Sequence, residues 1–349
     1  MKNLFRSGRA AVLPLAAKWR PWSGIAAVCA LAQTAGAAGF RAAPVADYRE
    51  GDFSFGVSAG AAFVGGESRE HVFVPKSRSF EYAQELNRPD DRRRHRVSRL
   101  DWDVAATMVG LSGSARYDRL SLNGGVWYGG SGSDDYDMDD YDWLAGDDRR
   151  HTHRSCSEVE LTDAWMFDAN LSFDFWRTEG AAGYVFGGLR EQRWKWTQDG
   201  LTEYWYPFDD GGHFKDRGHG IDYRQVFLMA YAGLGGDWKL TDTLTLSAYA
   251  SWAPRYAGRD RDNHIDAEKL FHGHFDWDDG EVYAAGVALH FEFAPRRSLC
   301  VALDWQRATL HEGDMFSEEL DTGEATSAKD SAGFENEYVA LSFTLDCAF

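Results

Sequence analysis

Period-two alternation of apolar and polar positions dominates the chain. Over residues 53–63, Phe53, Phe55, Val57, Ala59, Ala61 and Phe63 fall on one face of an extended strand, with Ser54, Gly56, Ser58 and Gly60 on the other. Over 244–252, Leu244, Leu246, Ala248, Ala250 and Trp252 alternate with Thr245, Ser247, Tyr249 and Ser251. The last stretch sets Val339, Leu341, Phe343, Leu345, Cys347 and Phe349 against Ala340, Ser342, Thr344, Asp346 and Ala348. A soluble β-sandwich alternates too, but over about five or six residues per strand. Longer runs match the ~9–11 residues with which a tilted strand crosses a bilayer. One apolar and one small or polar face per run suits a wall between lipid and a wet interior. Lipid offers the backbone no hydrogen bonds, so such strands must close into a barrel.

The connections alternate in length. Residues 117–120, 177–180, 240–243 and 294–298 are tight, whereas 64–97, 131–157, 198–219, 259–279 and 312–334 are long, polar and charged. The predicted fold is all-β: a ten-stranded antiparallel transmembrane β-barrel with long extracellular loops and short periplasmic turns. Its strands are expected near 50–63, 98–116, 120–130, 158–175, 181–197, 220–239, 243–258, 280–293, 298–311 and 335–349. No internal repeat or second domain is evident.

The N-terminus departs from this pattern. Lys2, Arg6, Arg9, Lys18 and Arg20 precede the apolar run "GIAAVCALA", and "AGA" at 35–37 supplies small residues. This order predicts a signal peptide over residues 1–37 and a barrel over 38–349; an apolar N-terminal helix is the alternative. Loss of the leader's five cations takes the formal charge from −18 to −23. Such a field excludes nucleic acid as a partner and attracts cations, basic peptides included. Cys156 falls in a polar loop, while register turns Cys300 inward and Cys347 outward, so these two do not pair.

Candidate chemistry lies in the acidic stretches. "DDYDMDDYDW" at 134–143 holds six aspartates, and "GRDRDNHID" follows at 258–266. Positions i and i+2 of an extended chain share a face, which joins Asp140 with Asp142 and Asp262 with His264. A histidine held by a carboxylate can take a proton from water, and two further carboxylates can hold that water and share protons. A solvated acidic loop accounts for the same spacing, and composition does not separate the two. "HTHR" (151–154) and "FHGHFDWDD" (271–279) carry His-x-His pairs, but neither has a convincing third metal ligand nearby, and exposed loop histidines are the expectation. The aspartate run lacks the glycine and distal glutamate of a calcium loop.

At these residues the chain resembles the omptins, outer-membrane proteases of Gram-negative bacteria. "SRLDW" (98–102), "DMDDYDW" (137–143) and "RDRDNHID" (259–266) carry the likeness, which runs over nearly the whole chain after the leader. The terminal alternating strand ending in Phe349 is also similar to those that close outer-membrane barrels. The resemblance implies an aspartic endopeptidase with Asp140, Asp142, Asp262 and His264 activating water, and cleavage next to Arg or Lys. It further implies Glu70 and Asp260 as the acids that read the basic side chain, flanked by Met138 and Ile221. No cofactor is implied beyond lipopolysaccharide as an activator, with Glu191 and Arg193 on its binding face. The implied partners are basic peptides or proteins, lipopolysaccharide and membrane lipids, and the implied location is the outer membrane with the site outside.

The chain departs from the family pattern in four places. His153 stands where an acidic residue favours a basic residue after the cut, and Val226 and Asp278 stand where cations would contact lipopolysaccharide. Arg261 sits between Asp260 and Asp262, where it either neutralises the pocket or faces solvent. Two other readings remain at this stage: a non-catalytic barrel binding cationic ligands, and a small porin or lipid-modifying barrel.

Overall fold

The computed structural model describes residues 53–75, 78, 95–131, 136–143, 151–199, 201–206, 212–217, 220–265 and 267–349. The expected leader lies outside them. Fifteen strands follow in order: β1 (Phe53–Phe73), β2 (Arg96–Tyr117), β3 (Leu120–Gly130), β4 (Tyr136–Asp142), β5 (His153–Arg177), β6 (Ala181–Gln198), β7 (Leu201–Tyr206), β8 (Gly212–Arg217), β9 (Ile221–Lys239), β10 (Leu244–Ala253), β11 (Tyr256–His264), β12 (Lys269–Phe275), β13 (Val282–Ala294), β14 (Arg297–Glu319) and β15 (Ala325–Ala348).

All pairings are antiparallel, and the sheet closes where β1 pairs with β15. Three walls of the ring are built in two pieces: the expected strand 243–258 is broken, and β4 and β12 form within stretches expected to be loops. β3 and β4 form one wall segment, both lying between β2 and β5. β10 and β11 form a second beside β9, and β12 and β13 a third against β14. Pro254 sits in the β10/β11 break, where a residue without an N–H cannot serve a ladder. Counting each broken strand once leaves the ring of ten that the alternation predicts, with β7–β8 as a hairpin on β5 above it.

The expected loops are shorter than the sequence pattern suggests. β1 runs ten residues past Phe63, β14 and β15 pair as far as Glu318 and Ala325, and β11 and β12 fill most of 259–279. At about 3.3 Å per residue, the 25 residues of β5 span roughly 80 Å along the strand. A ~30 Å hydrocarbon layer covers less than that even at 45° tilt, so the wall continues as a sheet above the membrane.

The outer face of the lower wall is apolar and exposed, with Phe55, Leu111, Leu171, Leu234, Val287 and Leu303 pointing outward. Aromatic pairs mark its edges, such as Tyr128–Trp165 at 4.8 Å and Phe53–Tyr117 at 4.6 Å between ring centroids. Inside, polar side chains bond to one another across the lumen. Arg190 Nε donates to Asp168 Oδ2 (3.0 Å), and Arg190 Nη1 to Gln306 Oε1 (2.7 Å). Tyr231 Oη donates to Asp168 and Tyr249 Oη to Asp304 (2.6 Å). A cavity of about 40 Å³ beside Arg190 and Met108 has room for a few waters and not for a channel. The barrel is therefore filled at mid-height, and the site must sit above that plug.

Candidate active site

The pleat sorts the aspartate-rich run into two sets. In β4, Met138, Asp140 and Asp142 lie on the inward face, opposite Trp102, Leu100 and Ser98 of β2. Asp137, Asp139 and Tyr141 face outward, where Asp139 pairs with Arg154 at 2.8 Å. The same sorting acts in β11: Asp260, Asp262 and His264 turn inward beside Gln225, Tyr223 and Ile221 of β9. Arg261 is exposed on the outer face, so it does not neutralise the pocket. Glu70 enters from β1, beside Leu100 and Phe334.

His264 Nε2 lies 2.5 Å from Asp262 Oδ2, with the Asp262 side chain 4% exposed and the imidazole 32% exposed. One member of the pair is thus fixed in the wall and the other reaches the mouth. Asp140 faces them: its carboxyl feels His264 and Asp262, and His264 feels Asp140 in turn. Ser98 Oγ donates to Asp140 Oδ1 at 3.3 Å. Below, the Gly273 N–H donates to Asp260 Oδ1 at 2.5 Å. Glu70 Oε2, Asp260 Oδ2 and Asp262 Oδ1 are buried and accept no hydrogen bond from the described residues. Buried acceptors of that kind are costly unless a donor reaches them.

Burial first, and then Asp262, Asp260 and Asp140, push the Glu70 carboxyl well above its ordinary range. Burial pushes Asp260 to about 7 against the Gly273 hydrogen bond, with Asp262 adding repulsion. Asp140 also rises to about 7, through burial and the neighbouring charge of Asp142. Asp142 rises by burial. Burial disfavours charge on His264, but the hydrogen bond and charge of Asp262, joined by Asp140, outweigh it and raise the imidazole. The cluster thus holds protons near neutrality, as acid–base chemistry requires.

The floor is rigid. Tyr223 stacks on Trp102 (4.8 Å, 17°) and Trp196 (5.7 Å, 23°), all fully buried. Aromatic pairs of this kind contribute about 0.5–1.5 kcal/mol each beyond area burial. Ser68 Oγ donates to Gln225 Oε1 (2.5 Å), and Gln225 Nε2 to Tyr223 Oη (2.6 Å), which ties β1 to β9 across the lumen.

The Omptin family model matches residues 49–349. The chain belongs to the omptin family. It is 24% identical over 307 residues to the plasminogen activator of Yersinia pestis, covering 85% of this chain and 90% of that one. It is 25% identical over 256 residues to protease 7 of Escherichia coli K12, covering 69% and 78%. The crystal structure of the outer membrane protease OmpT from Escherichia coli superposes with a TM-score of 0.74 at 20% identity, over 85% of this chain and 97% of that one. This omptin is an outer-membrane barrel and a protease.

The remaining sequence candidates lie at several levels of the omptin barrel. Met138 is buried beneath Asp140, and Ile221 packs at the edge of the core beside His264. Glu191 and Arg193 share the outer face of β6, 3.8 Å apart. His153 lies across from Asp142, with Nδ1 3.0 Å from the Thr152 hydroxyl. Asp278 is exposed beside His311, 3.7 Å away. His274 pairs with the exposed Asp276 at 3.2 Å. Ser98, Tyr223, Gln225 and Gly273 escaped the sequence reading of the site. The only signal for them is cross-strand adjacency, which a single chain does not spell out.

Proposed function

We propose that this omptin is an endopeptidase that cleaves next to Arg or Lys with a water activated by His264 and Asp262 opposite Asp140 and Asp142. The observation that carries the reading is the short Asp262–His264 contact facing Asp140 above two buried pocket acids, each with one oxygen that accepts no hydrogen bond from the described residues. In this reading Asp262 holds the imidazole and stabilises its charged form. His264 takes a proton from a water lodged between it and Asp140, and the hydroxide attacks the scissile carbonyl. Asp140, whose proton affinity lies near neutrality, donates to the water or to the developing oxyanion, and the leaving amine receives the proton from His264. Glu70 and Asp260 hold the basic side chain preceding the cut; a guanidinium suits two carboxylates because it donates in a planar fork. Met138 and Ile221 line the apolar edge.

The outer wall supports lipopolysaccharide as a partner, by a route other than the expected one. Val226 replaces a cation, yet its cross-strand neighbours are Arg193 and Arg259, and one step up Arg224 lies between Lys195 and Arg261. Burial and the repulsion of Arg193 and Arg259 lower Arg224, and its Nε has no hydrogen-bond partner among the described residues. Crowded cations beside an aromatic girdle suit phosphates at the lipid surface.

The deciding experiment is cleavage of a quenched fluorescent peptide containing Arg-Arg by refolded protein, with and without lipopolysaccharide, beside His264→Ala and Asp140→Ala. Loss of turnover in both folded variants supports the reading. Unchanged turnover in His264→Ala overturns it, and inactivity of the intact folded barrel points to a binding protein instead.

A further inference from the structure

A second cluster of reactive side chains lies deep in the lumen, far from the carboxylates. His290 on β13, Cys300 on β14 and Asp346 on β15 all point inward, and each is at most 4% exposed. His290 is paired in register with Cys300, and Cys300 with Thr344; Asp346 sits one inward step along β15 and pairs with Ser58 of β1. His290 Nε2 lies 3.9 Å from Cys300 Sγ, and His290 Nδ1 lies 3.6 Å from Asp346 Oδ2. One donor atom from each residue falls within 4.8 Å of the other two. Eleven strand positions separate Cys300 from His311, whose partner Phe334 flanks Glu70. At ~3.3 Å per residue that is roughly 36 Å, so the cluster shares nothing with the peptidase site.

Two observations point to a ligand. His290 Nδ1 is buried and makes no hydrogen bond to the described residues. The hydroxyls of Thr344 and Ser58, facing Cys300 and Asp346, are buried and likewise without a hydrogen-bond partner among the described residues. Polar groups grouped this way in an enclosed lumen are the environment a cation satisfies. The donor set then selects the cation. Thiolate, imidazole and carboxylate suit zinc-like transition metals, whereas calcium and magnesium take oxygen ligands. A tetrahedral ion with zinc-like bond lengths sets its ligands roughly 3.3–3.8 Å apart. The 3.6 and 3.9 Å contacts come from different imidazole nitrogens, so with one nitrogen as ligand the three donor atoms, now within 4.8 Å of one another, must draw in by up to about 1 Å.

We propose that His290, Cys300 and Asp346 form a binding site for a thiophilic divalent transition metal of the zinc class, clamping β13, β14 and β15 beside the seam with β1. The metal takes three protein ligands, and a water or the Thr344 hydroxyl completes its shell. Cys300 binds as thiolate: the metal–sulfur bond forms as the S–H bond breaks, and the proton leaves to solvent. Thiolate and carboxylate then balance the dication within the low-dielectric lumen.

Cobalt(II) titrated into the refolded, metal-free barrel is the test, read by absorption. The expected result is one cobalt per chain, with tetrahedral d–d bands and a thiolate-to-cobalt charge-transfer band that zinc(II) displaces. Cys300→Ser should abolish the charge-transfer band, and His290→Gln and Asp346→Asn should weaken binding at least tenfold. The double variant Cys156→Ser/Cys347→Ser leaves Cys300 as the sole thiol of residues 38–349 and should keep the band, which preserves the test if Cys300→Ser does not fold. Absence of the band in the intact chain, or its loss in the double variant, overturns the proposal, as does its persistence in a folded Cys300→Ser barrel.

Discussion

Replacing Asp260 by Asn isolates the pocket's charge from its shape. The side chain keeps its size, its Oδ1 still accepts the Gly273 N–H, and the carboxylate is lost. A hydrogen bond to a charged group contributes about 1.5–3 kcal/mol, so kcat/KM for an Arg-containing peptide should fall about 10- to 150-fold at pH 8. The sign of the pH effect follows from burial. Asp260 titrates at about 7 in the free barrel, so the form that binds a guanidinium is the minority below neutrality. By simple titration it is about one-tenth ionised at pH 6 and about nine-tenths at pH 8. The ratio of wild-type to Asp260→Asn kcat/KM should therefore rise about ninefold across that interval. His264 and Asp140 titrate in both proteins, so the ratio cancels them. Asp260 also repels Glu70, so the variant's own acid limb should move to lower pH. The assay is kcat/KM on a quenched Arg-Arg peptide from pH 5.5 to 8.5, beside a peptide with citrulline in place of Arg. Parallel profiles for the two proteins, or an equal loss on citrulline, would refute the assignment of Asp260 to the cationic side chain.

Asp262→Asn should lower kcat by about 10³–10⁴-fold with little change in KM, because it leaves the imidazole in place but removes the charge that stabilises its protonated form; stopped-flow turnover on the same peptide reads this. Gly273→Ala would set a methyl 2.6 Å from Asp260 Oδ1 and 2.5 Å from the Phe275 ring, so kcat/KM for Arg substrates should fall about tenfold or more while circular dichroism stays unchanged. Arg224→Gln combined with Arg259→Gln should raise the lipopolysaccharide concentration needed for half-maximal activity and flatten its salt dependence, measured by titrating lipid at two ionic strengths. Planar-bilayer recording should show no steady conductance through the filled lumen, and a stable open channel would contradict the Arg190–Asp168–Gln306 plug.

The parts of this fold that could be read in advance are those where the two faces of a strand meet different solvents. Leu244 to Trp252 alternates plainly because one face touches lipid and the other a polar lumen. The extension of β1 from Val64 to Phe73 was hidden because both faces there are wet or polar: Glu67 and Arg69 outside, Ser68 and Glu70 inside. Period-two order persists without hydrophobic contrast, and it reads as a loop. The paired acids and His264 were legible at spacing two, since that spacing is set by the strand itself. Ser98 and Gly273 were not, because they reach Asp140 and Asp260 only across a ladder. The same limit hid His290 and Asp346 from Cys300, which lie 10 and 46 positions away in the chain.

The stretch "RDRDNH" at 259–264 is close to neutral by composition, and composition would assign it no electrostatic purpose. The pleat gives it one. Arg259 and Arg261 go to the outer wall beside Arg224, while Asp260, Asp262 and His264 go to the well. In "DMDDYD" the partner cation of Asp139, Arg154, is likewise held outside, while Asp140 and Asp142 face inward. Each inward carboxylate is thereby kept from the cation beside it in sequence, and the wall separates the two signs. Burial first, and then the repulsion of neighbouring carboxylates, leaves proton uptake as the response open to the well alone, so Glu70, Asp140 and Asp260 all shift upward together. A cationic side chain entering from outside offers the other response: it replaces those protons, satisfies the unpaired oxygens of Glu70 and Asp260, and leaves Asp140 and His264 above it to share the proton the reaction needs. Preference for a basic residue and readiness for acid–base chemistry are then two consequences of one separation of charge, and Asp260→Asn should disturb the first while leaving Asp140 and His264 to titrate as before.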